Sequence, residues 1–374
     1  MRLLATVRTV NSIEPIHGAD RIVLAKIDGW QCVVNKDSLK PGDKCMYFEI
    51  DALIPCTDER ISFLVNANRG IREYDGVKYA RIKTIRLRGE LSQGLALPVS
   101  LFPEVDLNAI QEDYSEVLGV IKYEIPETNG PGVIIGRSAG DFPIVIPKTD
   151  EPRIQNIYGK YNTQYKDIEF RPSMKLDGSS HTLAVLYGDQ RLQKLLDNPE
   201  YPFNFINEEE PEKSFQIVTC SRNNTLRYGA AENSHFWDAT ILMGWMEKLN
   251  DAGYPNIALQ SECMGPGIQR NREGLNTLQL FCFRIWDIAN QRFYSDAEFQ
   301  EFCSEYNIQQ VPQYPVMKPF VVYDNIDAML KASEIGSIAH KNAEGIVYKS
   351  TTEVQGSTLH FKVINNKYLL EDEE

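Results

Sequence analysis

The sequence predicts an α+β protein of two domains: a small closed β-barrel of the OB type over residues 1–105, a connector over residues 106–145, and a larger mixed domain over residues 146–374. Three observations predict it. About five short strand-like runs with turn punctuation fill the first hundred residues, as a small closed barrel requires. From Pro147 onward, strand-like runs alternate with segments of helical spacing. A chain of 374 residues is also too long for one small core.

Taken in order, RLLATVRTV, RIVLAKI, WQCVVN, KCMYFEI and KYARIKTIRLRG are the barrel strands. Gly18, Asp28-Gly29, Lys40-Pro41-Gly42-Asp43 and Asp75-Gly76 separate them. In the last run the alternation changes phase. A bulge near Thr84-Ile85 would keep the apolar residues inward and Arg81, Lys83, Arg86 and Arg88 outward. That basic face is either a solvated edge or an RNA contact. Pro103 stands just before the connector, and Pro126, Gly130-Pro131-Gly132 and Gly136 mark it. Beyond it, MKLDGSSHTLAVLY and FQIVTCS read as strands. A helix over roughly Phe236–Leu249 comes next, with Trp237, Ile241, Leu242, Trp245, Met246 and Leu249 at core spacing. ALQSECM and LFCFRIWDI are strands, Ser295 with Glu298 forms a capping box, and a helix runs near Asn325–Ile335. EGIVYKS and LHFKVI are the last strands.

The totals exclude several classes. Hydrophobic residues make up 43% and charged residues 24%, a globular balance. No apolar run approaches the ~20 residues of a membrane span, and the N-terminus reads as a strand, not a signal peptide. Seven scattered cysteines without a C-x-x-C pair indicate free thiols in a reducing cytoplasm. A net charge of −13 argues against non-specific coating of nucleic acid. The charge is uneven: residues 1–100 carry 15 basic and 12 acidic side chains, the remainder 24 and 40. Glu208-Glu209-Glu210 and the tail Glu371-Asp372-Glu373-Glu374 are local acidic runs expected on solvated surface.

The chemistry centres on Lys175 in MKLDGSSHT. A lysine becomes a nucleophile when its amine is neutral, and Met174 and Leu176 offer an apolar surround. Attack on a nucleotide α-phosphate would give a phosphoramidate. Asp177 lies where a metal ligand is needed, and Gly178 permits close backbone approach. The plain alternative is a hairpin turn around Asp-Gly. Lys26-Ile27-Asp28-Gly29 has the same pattern, so the tetrapeptide alone does not decide. The residues downstream separate the two lysines. After Lys26 comes an apolar strand. After Lys175 come Cys220-Ser221-Arg222-Asn223, Ser261-Glu262-Cys263, Phe283-Arg284-Ile285-Trp286-Asp287, Glu344-Gly345-Ile346-Val347-Tyr348-Lys349 and His360-Phe361-Lys362-Val363.

This order resembles the covalent nucleotidyltransferase superfamily of ATP-dependent ligases and mRNA capping enzymes. The resemblance implies an ATP-grasp-like domain of antiparallel sheets with flanking helices. GADRI (18–22), YFEID (47–51) and IPKTDEPRIQN (146–156) narrow it to RNA ligases with an N-terminal OB domain. It implies that Lys175 is adenylated by ATP. Arg222 contacts ribose or phosphate, Glu262 a ribose hydroxyl or a metal-bound water, and Phe283 stacks on adenine. Met174 and Ser180 belong to the nucleotide pocket, with Lys148 and Arg153 as further phosphate or ribose contacts. Asp177, Glu262 and Glu344 hold Mg²⁺ or Mn²⁺ through waters, and Lys349 and Lys362 neutralise the α-phosphate. Period-2 alternation puts Val347 and Lys349 on one face, and Lys362 opposite Phe361 and Val363.

Two positions depart from the ligase pattern. Ile364 stands where a second cation is usual after Lys362, and Ser180 where many DNA ligases and capping enzymes have arginine or another polar side chain. The implied activity is ATP-dependent sealing of 5′-phosphate and 3′-hydroxyl RNA ends in RNA repair. The implied partner is a nicked duplex with RNA on the 3′-OH side, with no obligate protein partner. A DNA ligase or capping guanylyltransferase is the nearest alternative. Both usually carry an OB domain after the last motif, and twelve residues after Lys362 leave no room for one. A non-catalytic RNA-binding protein is the alternative of another class, opposed by the joint presence of Lys175, Asp177, Glu262 and Glu344.

Overall fold

The computed structural model describes residues 3–67, 70–107, 113–123, 138–188, 201–229 and 235–371. The connector's Pro126, Gly130-Pro131-Gly132 and Gly136, and the tail residues Asp372, Glu373 and Glu374, lie outside them.

The N-terminal unit is built from β1 (Ala5–Thr9), β2 (Ser12–Pro15), β3 (Ile22–Ile27), β4 (Trp30–Asn35), β5 (Lys44–Phe48), β6 (Ala52–Pro55), β7 (Ile71–Tyr74), β8 (Val77–Arg81), β9 (Thr84–Leu87), β10 (Glu90–Gln93), β11 (Leu95–Pro98) and β12 (Ile121–Lys122). Short antiparallel sheets in the orders β1-β5-β11, β2-β3-β4, β9-β10 and β12-β6-β8-β7 make it up. Alternation explains how one strand serves two cores. In β5, Met46 and Phe48 enter a core with Val7 and Ile54, whereas Cys45 and Tyr47 enter a second with Ile27 and Trp30. Tyr114, Leu118 and Val120 join the first of these cores, and β12 pairs with β6. Packing of the barrel core thus includes residues beyond 105.

The expected bulge at Thr84-Ile85 is instead a break. Ile82 is buried and exchanges backbone hydrogen bonds with Asp51 and Ala52 (2.8 Å each), which ends β8. β9 then pairs only with β10 in a separate hairpin. Ile85 is exposed, and Arg88 turns the chain at φ 53°. Lys83, Arg86 and Arg88 are exposed, but Arg81 is not part of that face. Its guanidinium binds Asp51 at 2.6 Å and covers the Tyr123 ring at 3.6 Å.

The second domain has two antiparallel sheets. The larger runs in the order β13 (Ser138–Asp141), β18 (Asn224–Leu226), β17 (Phe215–Cys220), β15 (Ser179–Tyr187), β19 (Ile257–Met264), β20 (Gln279–Asp287) and β21 (Arg292–Phe293), with β16 (Asn204–Phe205) added to β17. The smaller is β14 (Phe170–Lys175), β22 (Gly345–Val354) and β23 (Ser357–Ile364). The single helix expected over Phe236–Leu249 is two, His235–Leu242 and Trp245–Asp251, because Gly244 takes a left-handed conformation (φ 64°) between them. Trp237, Trp245 and Leu249 are core as expected. Ile241 and Leu242 are exposed, because the first helix turns Trp237, Ala239 and Thr240 to the core instead. The capping box at Ser295–Glu298 forms, as does a helix at Ile326–Ala332 capped by Asn325. Glu208, Glu209 and Glu210 are solvated.

The barrel docks on this domain through the hairpin that carries the Lys26-Ile27-Asp28-Gly29 pattern. Asp28 and Gly29 take φ 49° and 79°, the left-handed pair of a tight hairpin turn between β3 and β4. Gln155 donates to the Gly29 carbonyl at 3.4 Å. The buried Arg8 donates to Gln155 O (3.2 Å) and Asn156 Oδ1 (3.0 Å), and Asn156 donates to Glu49 (2.9 Å).

Candidate active site

Residues 174–182 are read most simply as one strand. The structure splits them between sheets. β14 ends at Lys175 and pairs with β22, while β15 starts at Ser179 and pairs with β17 and β19. Leu176, Asp177 and Gly178 cross between the sheets, and a cavity of about 970 Å³ opens there. Glycine is required at the crossing for space. A Cβ on Gly178 would lie 2.4 Å from the Cys263 carbonyl oxygen. The close approach lets the Gly178 amide donate to Glu262 Oε1 at 3.1 Å.

Register does the rest. Lys175 is opposite Gly345, which sets the neighbouring Glu344 carboxylate 2.6 Å from the Lys175 amine. Gly345 is itself confined, since a Cβ there would meet the Val363 carbonyl oxygen at 2.1 Å. Ser180 is opposite Glu262, and Val347 is opposite Lys362. Phe361 and Val363 are fully buried while Lys362 faces the cavity, as alternation predicts. Lys349 shares that wall with Val347. It donates to the Phe283 carbonyl, and its amine lies 4.9 Å from the Phe283 ring centroid.

Met174, Lys175, Asp177, Ser180, Arg222, Glu262, Phe283, Glu344, Lys349 and Lys362 all line this one cavity. Lys148 and Arg153 do not line it among the described residues. Lys148 is exposed and donates to Asn223 at 3.1 Å. Arg153 lies 5.5 Å from the Trp30 ring centroid of the barrel. The reason is register again. Arg153 bridges Lys362 in parallel, so this segment runs beside β23 and turns Asp150 and Glu151 to the cavity instead. Asp150 stands 3.7 Å from the Lys362 amine.

The electrostatics correct the expected apolar activation of Lys175. Burial works to lower its pKa, but Glu344 and then Glu262 outweigh it and raise the lysine above its ordinary value. Burial pushes Glu262 up to about 8, against the opposing pull of Lys175. Burial, reinforced by Arg284, lowers Lys349 to about 7. Burial, reinforced by Lys175 and Arg153, lowers Lys362 to about 8. Glu151 goes the other way. Burial opposes its charge, yet Arg284, Lys349 and Lys362 hold it down to about 2. Glu151 and Arg284 were not singled out from sequence. A charged residue inside the apolar run LFCFRIWDI was the available signal for Arg284.

A divalent cation can be tested against these donors. Among the described residues no three acidic, histidine or cysteine side chains gather to hold a metal directly. Asp177, Glu262 and Glu344 present oxygen donors around the cavity, each with another partner: Arg272, the Gly178 amide and Lys175. Separated hard oxygen donors fit a Mg²⁺- or Mn²⁺-type ion that keeps its hydration shell.

A buried lysine paired with an acid, two further acids, a phenylalanine and two more lysines meet between two antiparallel sheets, an arrangement that fits a nucleotidyltransferase-type site. A family model described as RNA ligase matches residues 169–364, and one described as an OB-fold domain matches residues 4–99. The chain belongs to the RNA ligase family. It is similar to solved structures of an RNA ligase from Naegleria gruberi. A lysine-to-methionine mutant with AMP and Mn is 32% identical (TM-score 0.75), with 100% of each chain covered. The same ligase with PPi is 32% identical (TM-score 0.74), with 99% of each chain covered. A lysine-to-alanine mutant with ATP and Mn is 33% identical (TM-score 0.74), covering 99% of this chain and 98% of that one. No curated protein matches the sequence.

Proposed function

We propose that this RNA ligase uses ATP, forms a covalent lysyl-AMP on Lys175, and seals 5′-phosphate to 3′-hydroxyl RNA ends at nicks in duplexes. The observation that carries the reading is Lys175 at the junction of the two sheets, facing one cavity with Glu262, Glu344, Lys349 and Lys362. Structures of the Naegleria ligase with ATP, AMP, PPi and Mn support the choice of substrate.

The reaction comprises three displacements at phosphorus. The Lys175 ammonium first leaves its ion pair with Glu344 and gives a proton to solvent; the neutral amine then attacks the ATP α-phosphate, a P–N bond forms, the bond to pyrophosphate breaks, and the nitrogen releases its second proton to solvent. An oxygen of the RNA 5′-phosphate then attacks the adenylyl phosphorus, the P–N bond breaks, and the amine is released. Finally the 3′-hydroxyl attacks the 5′-phosphate and expels AMP. Lys349 and Lys362 bind the α-phosphate and offset its developing charge. Phe283 carries adenine, with Met174 and Ser180 beside it, and Arg222 at the rim binds ribose or phosphate. Asp177, Glu262 and Glu344 would hold a hydrated Mg²⁺ or Mn²⁺, which supplies positive charge to the leaving group and favours the neutral amine. Lys83, Arg86 and Arg88 on the barrel hairpin bind the RNA backbone. We place the reaction in the cytoplasm, which the seven free cysteines support. No helix among the described residues is long and apolar enough to cross a membrane.

The test is incubation with α-labelled ATP or GTP and a divalent metal, then acid and alkali treatment of the chain. Acid-labile, alkali-stable label from ATP alone is expected. Label that persists in Lys175→Ala, or its absence from the wild type, refutes the mechanism.

A further inference from the structure

Arg272 belongs to none of the motifs and does not line the cavity among the described residues. It lies in the loop over residues 265–278 that joins β19 to β20. That loop is fixed at several points. Ile268 enters the main core. The Asn271 side chain donates to Leu275 O (2.9 Å) and accepts from Leu275 N (3.1 Å). The buried Glu273 carboxylate accepts from the Ser337 hydroxyl and from the amides of Ala339 (2.5 Å) and His340 (3.1 Å).

From this frame two side chains reach the turn that carries the nucleophile. Gln269 Nε2 donates to the Gly178 carbonyl at 3.2 Å. Arg272 Nε stands 3.3 Å from Asp177 Oδ2, with its side chain only 11% exposed. The guanidinium lies 4.5 Å from the centroid of Tyr368, in the helix Asn366–Glu371. A short crossing between two sheets has no ladder of its own to hold it. Its conformation is therefore set by such contacts.

We propose that Arg272 is a positioning residue for lysine adenylation: through Asp177, and with Tyr368 as a platform for its guanidinium, it fixes the Leu176-Asp177-Gly178 crossing that aims Lys175 into the cavity. The proposal rests on the function stated above. Arg272 touches no reacting atom, so its effect passes through the Asp177 carboxylate.

The test uses the full chain with α-labelled ATP and Mn²⁺, comparing wild type, Arg272→Met, Arg272→Lys, Asp177→Asn and the double variant Arg272→Met/Asp177→Asn. Arg272→Met is expected to slow lysyl-AMP formation at saturating ATP by roughly 10- to 100-fold, the usual loss when a supporting partner is removed. The ATP KM should change little, and Arg272→Lys should recover part of the rate. In the Asp177→Asn background the same change should cost nothing further, which a merely structural arginine would not show. If Arg272→Met fails to fold, Tyr368→Leu, which keeps the arginine and removes its platform, is expected to slow adenylation in the same direction. A labelled wild type with an unslowed Arg272→Met, an equal loss with and without the Asp177 carboxylate, or an unslowed Tyr368→Leu overturns the proposal alone. A wild type that takes no label overturns the reading of the site, and the proposal with it.

Discussion

Two glycines each stand behind an aspartate, three residues after a lysine, and replacing each by alanine separates a site from a turn. At Gly178 the backbone is unstrained but walled in. The new methyl would lie 2.4 Å from the Cys263 carbonyl oxygen, 2.8 Å from Met264 Cγ and 2.9 Å from Glu262 Cγ. A strand carbonyl cannot step aside, so the crossing must retreat. The 3.1 Å hydrogen bond from the Gly178 amide to Glu262 is then lost. Leaving a buried acceptor without its donor costs about 1–3 kcal/mol, which is roughly 5- to 150-fold in rate if the loss is felt in the transition state. At Gly29 the methyl meets Ile326 Cδ1 at 2.5 Å and Gln155 Cγ at 3.2 Å, which are flexible side chains, but φ is 79°. The left-handed conformation costs a non-glycine residue roughly 1–2 kcal/mol. Gly29→Ala is therefore expected to lower the melting temperature and leave self-adenylation within about twofold, since it lies outside the cavity. The assay is the initial rate of label transfer from ATP to the chain, beside a melting curve for each variant. A Gly178→Ala protein that labels at the wild-type rate refutes the argument, as does a Gly29→Ala protein of unchanged melting temperature that labels slowly.

Two further outcomes are expected. His181 is fully buried between Ser261 (2.7 Å) and Thr240 (3.0 Å), and burial lowers its pKa to about 3. The unfolded chain, with an ordinary histidine, binds the proton first. The neutral imidazole's contribution is whole above pH ~6.5 and is lost as pH falls toward 3, at up to ~1.4 kcal/mol per unit. Urea midpoints measured between pH 7 and 4.5 should fall more steeply for wild type than for His181→Gln, and parallel curves would refute the assignment. On the barrel, alanine at Lys83, Arg86 and Arg88 should weaken end joining more than self-adenylation and reduce the salt dependence of RNA binding by about one unit of slope per phosphate contact. An equal loss in both steps makes these cations structural.

Part of the motif order was legible because Lys349 and Lys362 sit inside strands, where alternation dictates the face of each side chain. Val347 with Lys349, and Lys362 opposite Phe361 and Val363, result from period 2 alone. The limits of the same rule explain what was missed. Period 2 assumes that a strand continues. At Thr84-Ile85 the chain leaves one sheet because Ile82 is pinned between Asp51 and Ala52, a contact far away in sequence. Within MKLDGSSHT the strand also stops, and no local signal says that Lys175 and Ser179 belong to different sheets. The charge state of Lys175 was likewise hidden. Met174 and Leu176 are its neighbours along the chain, but Glu344 is its neighbour through the register of β14 on β22. That pairing turns an expected apolar pocket into an ion pair. The two matching tetrapeptides differ by this test: at Lys26 the partner is Gln31, 2.7 Å away on the same hairpin, while at Lys175 it is an acid 169 residues further along the chain.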